Sequence, residues 1–129
     1  MKLRCLCDAQ IVDQTDSLPN KAAFVPDEDL ERYQEPLIHF AADLVRAWVA
    51  GQQDAFLDAH FARSYPRGLA IESLLSDFWT RQSVAYERRM YECEACGRLW
   101  VQTHPDKNEY VTYLPEDAAR GVLRGRFSL

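Results

Sequence analysis

Four cysteines in two tight pairs constrain this chain more than any other feature. Cys5 and Cys7 form a C-x-C near the start, and Cys93 and Cys96 form a C-x-x-C in the last third, within Tyr91-Glu92-Cys93-Glu94-Ala95-Cys96-Gly97-Arg98. Four thiolates in two pairs can close a tetrahedral shell around one zinc ion. Such a shell ties the N-terminus to the C-terminal third, so the fold must bring two distant segments together.

A length of 129 residues suits one domain with a core of its own. The net charge of −5 argues against default binding to nucleic acid or anionic membrane and favours a basic protein surface. The start, Met1-Lys2-Leu3-Arg4-Cys5, lacks the apolar run of a signal peptide. No stretch approaches the roughly 18–20 apolar residues needed to span a bilayer. The expected compartment is the cytoplasm, where paired cysteines bind metal or do redox chemistry more often than they form structural disulfides.

Residues 2–13 read as a hairpin turning at Cys5-Leu6-Cys7-Asp8, and Ala22-Ala23-Phe24-Val25 as a further short strand ended by Pro26. Then the period changes. Leu30, Tyr33, Leu37, Phe40, Leu44 and Trp48 recur at steps of three and four, the stripe of an amphipathic helix over residues 27–50. Asp27, Glu28 and Asp29 suit its first turn, Gly51 suits the residue just past its end, and Pro36 predicts a kink. Asp54 is placed to cap a second helix carrying Phe56, Leu57, His60 and Phe61. A third helical stretch carries Ile71, Leu74, Leu75, Phe78 and Trp79, and the pattern turns extended after about Ser83. Residues 98–103 and 109–114 read as strands joined by a polar turn, with a short helix starting at Pro115 before a fraying tail.

A zinc knuckle is a turn whose backbone N–H groups face the thiolate sulfurs and offset their charge. The position after the second cysteine favours a left-handed backbone, which Gly97 adopts freely and Asp8 tolerates. Arg4 and Arg98 flank the pairs and can balance the charge of the site.

On these residues the chain resembles the zinc ribbon family, over roughly residues 2–13 and 86–114, and looks like small uncharacterised bacterial proteins with an early C-x-C and a late C-x-x-C-G-R. The resemblance implies two knuckles facing each other across one Zn²⁺, with Cys5, Cys7, Cys93 and Cys96 as ligands beside a small antiparallel sheet. Two departures stand out. The first knuckle is one residue shorter than usual, and a whole helical segment separates the two. Residues 91–97 also look like half of a rubredoxin site, where four cysteines hold a redox-active iron, but the matching half is absent. Free buried cysteines and thiol–disulfide exchange are further alternatives. The second is disfavoured because a redox C-x-x-C normally opens a helix, and strands flank this one.

The remaining polar residues read as structural. His39 lies on a solvated helix face, His60 sits among aromatics, and His104 lies in a turn. Asp54 and Asp58 share a solvated face, and no nucleophile–base set, phosphate-cradling loop or zinc-protease motif is present. A closed four-cysteine shell leaves no open position for water, so the expectation is not an enzyme. Trp100, Tyr110 and Tyr113 on the expected ribbon strands, with Arg88 and Arg98 nearby, form a candidate binding face for a protein or for single-stranded bases.

The expected architecture is α+β, a single domain over 1–129. A small antiparallel zinc-ribbon sheet from both chain ends (2–25 and 84–114) is expected to pack on a helical insertion (27–82), followed by a C-terminal helix and tail (115–129). The expected function is a zinc-stabilised interaction module. Its acidic helical face of Asp27, Glu28, Asp29, Glu31 and Glu35 would meet a basic protein partner, in an inhibitor or immunity-type role. The alternatives are a nucleic-acid-associated accessory protein and a rubredoxin-like electron carrier.

Overall fold

The computed structural model describes residues 1–127 and shows an α+β fold of three α-helices and two antiparallel sheets. The chain divides into two compact units: Pro26–Tyr86, and Met1–Val25 together with the chain from Glu87 onward. No helix of the described residues is long and apolar enough to cross a membrane.

The helical unit opens with a single 3₁₀ turn, Asp27–Asp29, which runs into α1, Leu30–Val49. The acids expected in the first turn occupy that 3₁₀ turn, where the positive end of the helix dipole favours them. The amide of Ala50 bonds back to Arg46 O, and Gly51 takes φ +68°, the left-handed exit expected of it. Helix α2 spans Gln53–His60 and α3 spans Ile71–Tyr86.

The core of this unit is aromatic. Phe40 stacks on Phe78 with centroids 4.1 Å apart, and Phe56 and Phe61 lie 5.2 and 5.9 Å from Phe40. Leu44, Leu57 and Leu74 complete the buried cluster, with Leu37 and Trp48 packed against it. The Arg81 guanidinium lies 5.2 and 5.3 Å from the Phe61 and Phe78 rings and donates to His60 O, holding the chain after α2 against the core.

Pro36 sits inside α1 without ending it. A proline has no N–H for the carbonyl four residues earlier, here Arg32 O. The buried Gln82 side chain supplies the missing donor. Its Nε2 donates to Arg32 O at 3.1 Å and to Tyr33 O at 3.0 Å. The same residue explains why α3 outlasts its expected end near Ser83. Phe78, Gln82 and Tyr86 stand one turn apart on one face, Phe78 and Gln82 are buried, and Tyr86 meets Tyr33 edge-on at 6.4 Å. A polar residue in the stripe disguised the continuation. Asp54 does not cap α2 as expected. It lies inside the first turn of α2, while Gln52 precedes the helix with no side-chain cap.

In the other unit, β1 (Lys2–Arg4) and β2 (Gln10–Val12) pair as the expected hairpin, but in a two-stranded sheet of their own. β3 (Lys21–Phe24) instead joins the later strands β4 (Arg88–Glu92), β5 (Leu99–Gln102) and β6 (Tyr110–Tyr113) in the order β3-β4-β5-β6. Buried Asn20 steers β3 to this edge: its carbonyl accepts the Glu92 amide at 2.8 Å, and its Nδ2 donates to Glu92 O at 3.2 Å. Cys5, Ile11, Tyr91 and Cys93 form the buried cluster, with Leu3, Trp100 and Tyr110 against it.

The helix expected from Pro115 does not form; residues 114–127 run through bends and turns. Tertiary bonds claim the backbone there. The Glu92 carboxylate, in a residue only 2% exposed, accepts the Gly121 and Val122 amides, and Arg120 Nη2 reaches Ala95 O at 3.1 Å.

Candidate metal centre

Both knuckles arise from the same local geometry. In the first, the Cys5 amide donates to Ala9 O at 2.8 Å and the Asp8 amide to Cys5 O at 2.9 Å. In the second, the Cys93 amide donates to Arg98 O at 2.9 Å and the Gly97 amide to Cys93 O at 2.8 Å. Each turn exits through a left-handed residue, Asp8 at φ 73° and Gly97 at φ 77°. Gly97 is also sterically required, because a Cβ there would lie 2.6 Å from the Ala119 carbonyl oxygen.

The turns bring the four sulfurs together. Cys5 Sγ lies 3.6 Å from Cys96 Sγ, Cys7 Sγ lies 3.6 Å from Cys93 Sγ, and all four fall within 4.8 Å of one another. A tetrahedral ion with metal–sulfur bonds of about 2.3 Å requires sulfur–sulfur edges of about 3.8 Å. The four cysteines are therefore a group that can hold a metal ion. None is cross-linked. They are the one cluster of three or more Cys, His, Asp or Glu side chains with that potential among the described residues, so His104 is not part of it.

The electrostatics of the sulfurs point the same way. Burial raises the Cys5 thiol, but the Cys7 amide, the Trp100 indole and the neighbouring thiols outweigh it and bring its pKa down to about 6. Cys93 is pushed up to about 12, by burial first, against the amides of Cys96 and Ala95, with the sulfurs of Cys7 and Cys5 adding to the rise. One negative charge is accommodated readily and further ones repel it, so a bound cation is what allows all four thiols to ionise. Arg98 Nη1 approaches Cys96 Sγ at 3.8 Å, as expected of a charge-balancing residue. Arg4 does not; it pairs with Asp8 at 3.2 Å in the open. Cys5 and Cys93 are buried, Cys96 is half-buried and Cys7 is exposed, so the cluster opens to water on one side.

The candidate binding residues do not share a face. Strand pairing sets Tyr91 opposite Trp100, Trp100 opposite Thr112, and Gln102 opposite Tyr110, so Trp100 and Tyr110 belong to the face that packs on Ile11 and the cysteines. Both are half-buried, and the Trp100 indole N–H, buried without a hydrogen bond of ordinary length, has the Cys5 sulfur as its polar neighbour. Tyr113 and Arg88 fall on the opposite face by the period of two; Tyr113 is exposed, whereas the Arg88 Nε is buried. Arg98 sits at the second knuckle. The sequence places Trp100 on a candidate binding face; the structure sets its indole beside the Cys5 sulfur. Glu92, next to Cys93, is not singled out by sequence, and it clasps the C-terminal segment to the second turn.

No curated protein and no solved structure matches this sequence. The model of one family, described as Domain of unknown function (DUF8617), matches residues 1–117, which include all four cysteines and every strand and helix of the described residues, and the chain belongs to that family.

Proposed function

We propose that this chain is a non-catalytic, zinc-stabilised module that binds a basic protein partner. One observation carries the reading: four sulfurs from distant parts of the sequence lie within 4.8 Å of one another, enough donors to fill every position of a four-coordinate ion. With no open position, the ion has no site for water or substrate, and its work is structural. The ribbon-like knuckles with their N–H groups on sulfur support zinc in this role. The exposed acids Asp27, Glu28, Glu31 and Glu35, with half-buried Asp29, give the helical unit a negative end suited to a basic surface.

Elemental analysis of the purified chain tests the first half, with one zinc per chain and no visible absorption expected. A red protein carrying iron would instead indicate an electron carrier. Affinity capture at low and moderate salt tests the second half, with a basic partner expected whose retention falls as salt rises and is lost in a Glu28→Gln/Glu31→Gln variant. Salt-dependent retention of single-stranded nucleic acid, with no protein partner, would refute that half.

A further inference from the structure

The stripe that α1 buries is not its only apolar stripe. Ile38, Val45 and Val49 recur at helical spacing on a second side and are 65%, 62% and 85% exposed. Ile71, Leu75 and Trp79 of α3 continue the patch at 39%, 39% and 54% exposure. Between the two helices runs an apolar groove of about 270 Å³, whose floor includes Leu44 and Trp48. The six residues leave on the order of 600 Å² per chain open, at the upper limit for a monomer's largest apolar patch and most of the ~800 Å² that each partner gives to a stable interface.

We infer that this face is the contact between two copies of the chain, with α1 crossing its mate antiparallel near Ala41 and Ala42. Charge selects this occupant. No charged side chain lines the groove, so two chains of net charge −5 can meet there without opposing charges of like sign. Glu35 and Arg46 lie about three turns apart at 3.6 residues per turn, on the same flank of the stripe. A two-fold crossing at the small residues Ala41 and Ala42 places Ile38 of each copy against Val45 of the other. The same crossing places Glu35 of each copy against Arg46 of the other, and both contacts recur by symmetry. Arg46 is free to do this, since its pairing with Asp43 at 3.3 Å is an exposed one of small worth. A basic partner helix would leave Arg46 facing a like charge. The inference is independent of the metal; it engages Glu35 in the pairing of copies and leaves Asp27, Glu28 and Glu31 to the proposed partner.

Sedimentation velocity and light scattering on the zinc-loaded full chain test it. The wild type is expected to be mainly dimeric at roughly 100 µM, where a micromolar Kd saturates. Val45→Asp, at an exposed position, is expected to give a monomer with unchanged circular dichroism. Glu35→Arg and Arg46→Glu should each weaken the dimer several-fold, and the double swap should restore it. A monomeric wild type at that concentration, a dimer untouched by Val45→Asp, or a double swap no better than either single change would overturn the inference.

Discussion

Lowering free zinc should unfold the unit that carries the cysteines and leave the helical unit standing. The first unit's buried cluster consists of Cys5, Ile11, Tyr91 and Cys93, so half of that cluster is candidate metal ligand. The helical unit buries Phe40, Leu44, Phe56, Leu57, Leu74 and Phe78 and contains no cysteine. Structural zinc contributes an apparent ~10–16 kcal/mol in small domains at neutral pH, corresponding to a Kd of about 10⁻⁷–10⁻¹² M. If only the folded unit binds, each tenfold fall in buffered free zinc removes about 1.4 kcal/mol of its stability. For a small folding unit that is a drop in Tm of about 6–11 °C per decade. The three tryptophans report the units separately: Trp48 in α1, Trp79 in α3 and Trp100 in β5. In ¹⁵N-labelled protein the Trp100 indole resonance should collapse to an unfolded position as zinc is chelated, while the Trp48 and Trp79 resonances hold theirs. A Trp100 resonance unmoved after zinc is removed would refute the reasoning, as would loss of all three at one zinc concentration.

Gln82→Leu should cost about 1–3 kcal/mol by stranding Arg32 O beneath Pro36, and Pro36→Ala in the same chain should recover most of it; urea unfolding followed by the Trp79 indole resonance measures both. Phe40→Ala removes the ring stacked on Phe78 and should destabilise the helical unit by about 3–5 kcal/mol while zinc content stays at one per chain. Burial and a bond to Asp13 raise the Tyr91 hydroxyl far above its ordinary value, and burial and a bond to Asp77 push Tyr65 up to about 12. These folded pKa values lie above the unfolded one, so their stabilisation is complete below about pH 10 and is lost as pH rises beyond it. Absorbance at 295 nm should therefore show fewer tyrosines ionised at about pH 11 in the native chain than in urea, and equal counts would contradict the assignment. Glu92→Gln should expose residues 114–127 to proteolysis without loss of zinc, because only the clasp on the Gly121 and Val122 amides is weakened.

The sequence by itself determined the knuckles, since a left-handed exit and a carbonyl-bonded turn are properties of a few adjacent residues, and Cys-Gly and Cys-Asp specify them locally. It also determined α1, α2 and the strand segments, whose periods of 3.6 and 2 are visible in single stretches. Tertiary structure decided the rest. Whether the hairpin and β3 share a sheet depends on buried Asn20 meeting Glu92 across much of the chain, a contact that leaves no local pattern. Whether Pro36 bends or merely interrupts the bonding of α1 depends on a glutamine from another helix. Which of Arg88, Arg98, Trp100, Tyr110 and Tyr113 could meet a partner depends on strand register, because a period of two assigns opposite faces that residue type alone does not distinguish. Local backbone preference can be read from neighbours in sequence, whereas the assignment of a side chain to core, sulfur or solvent is made by whatever the fold brings against it.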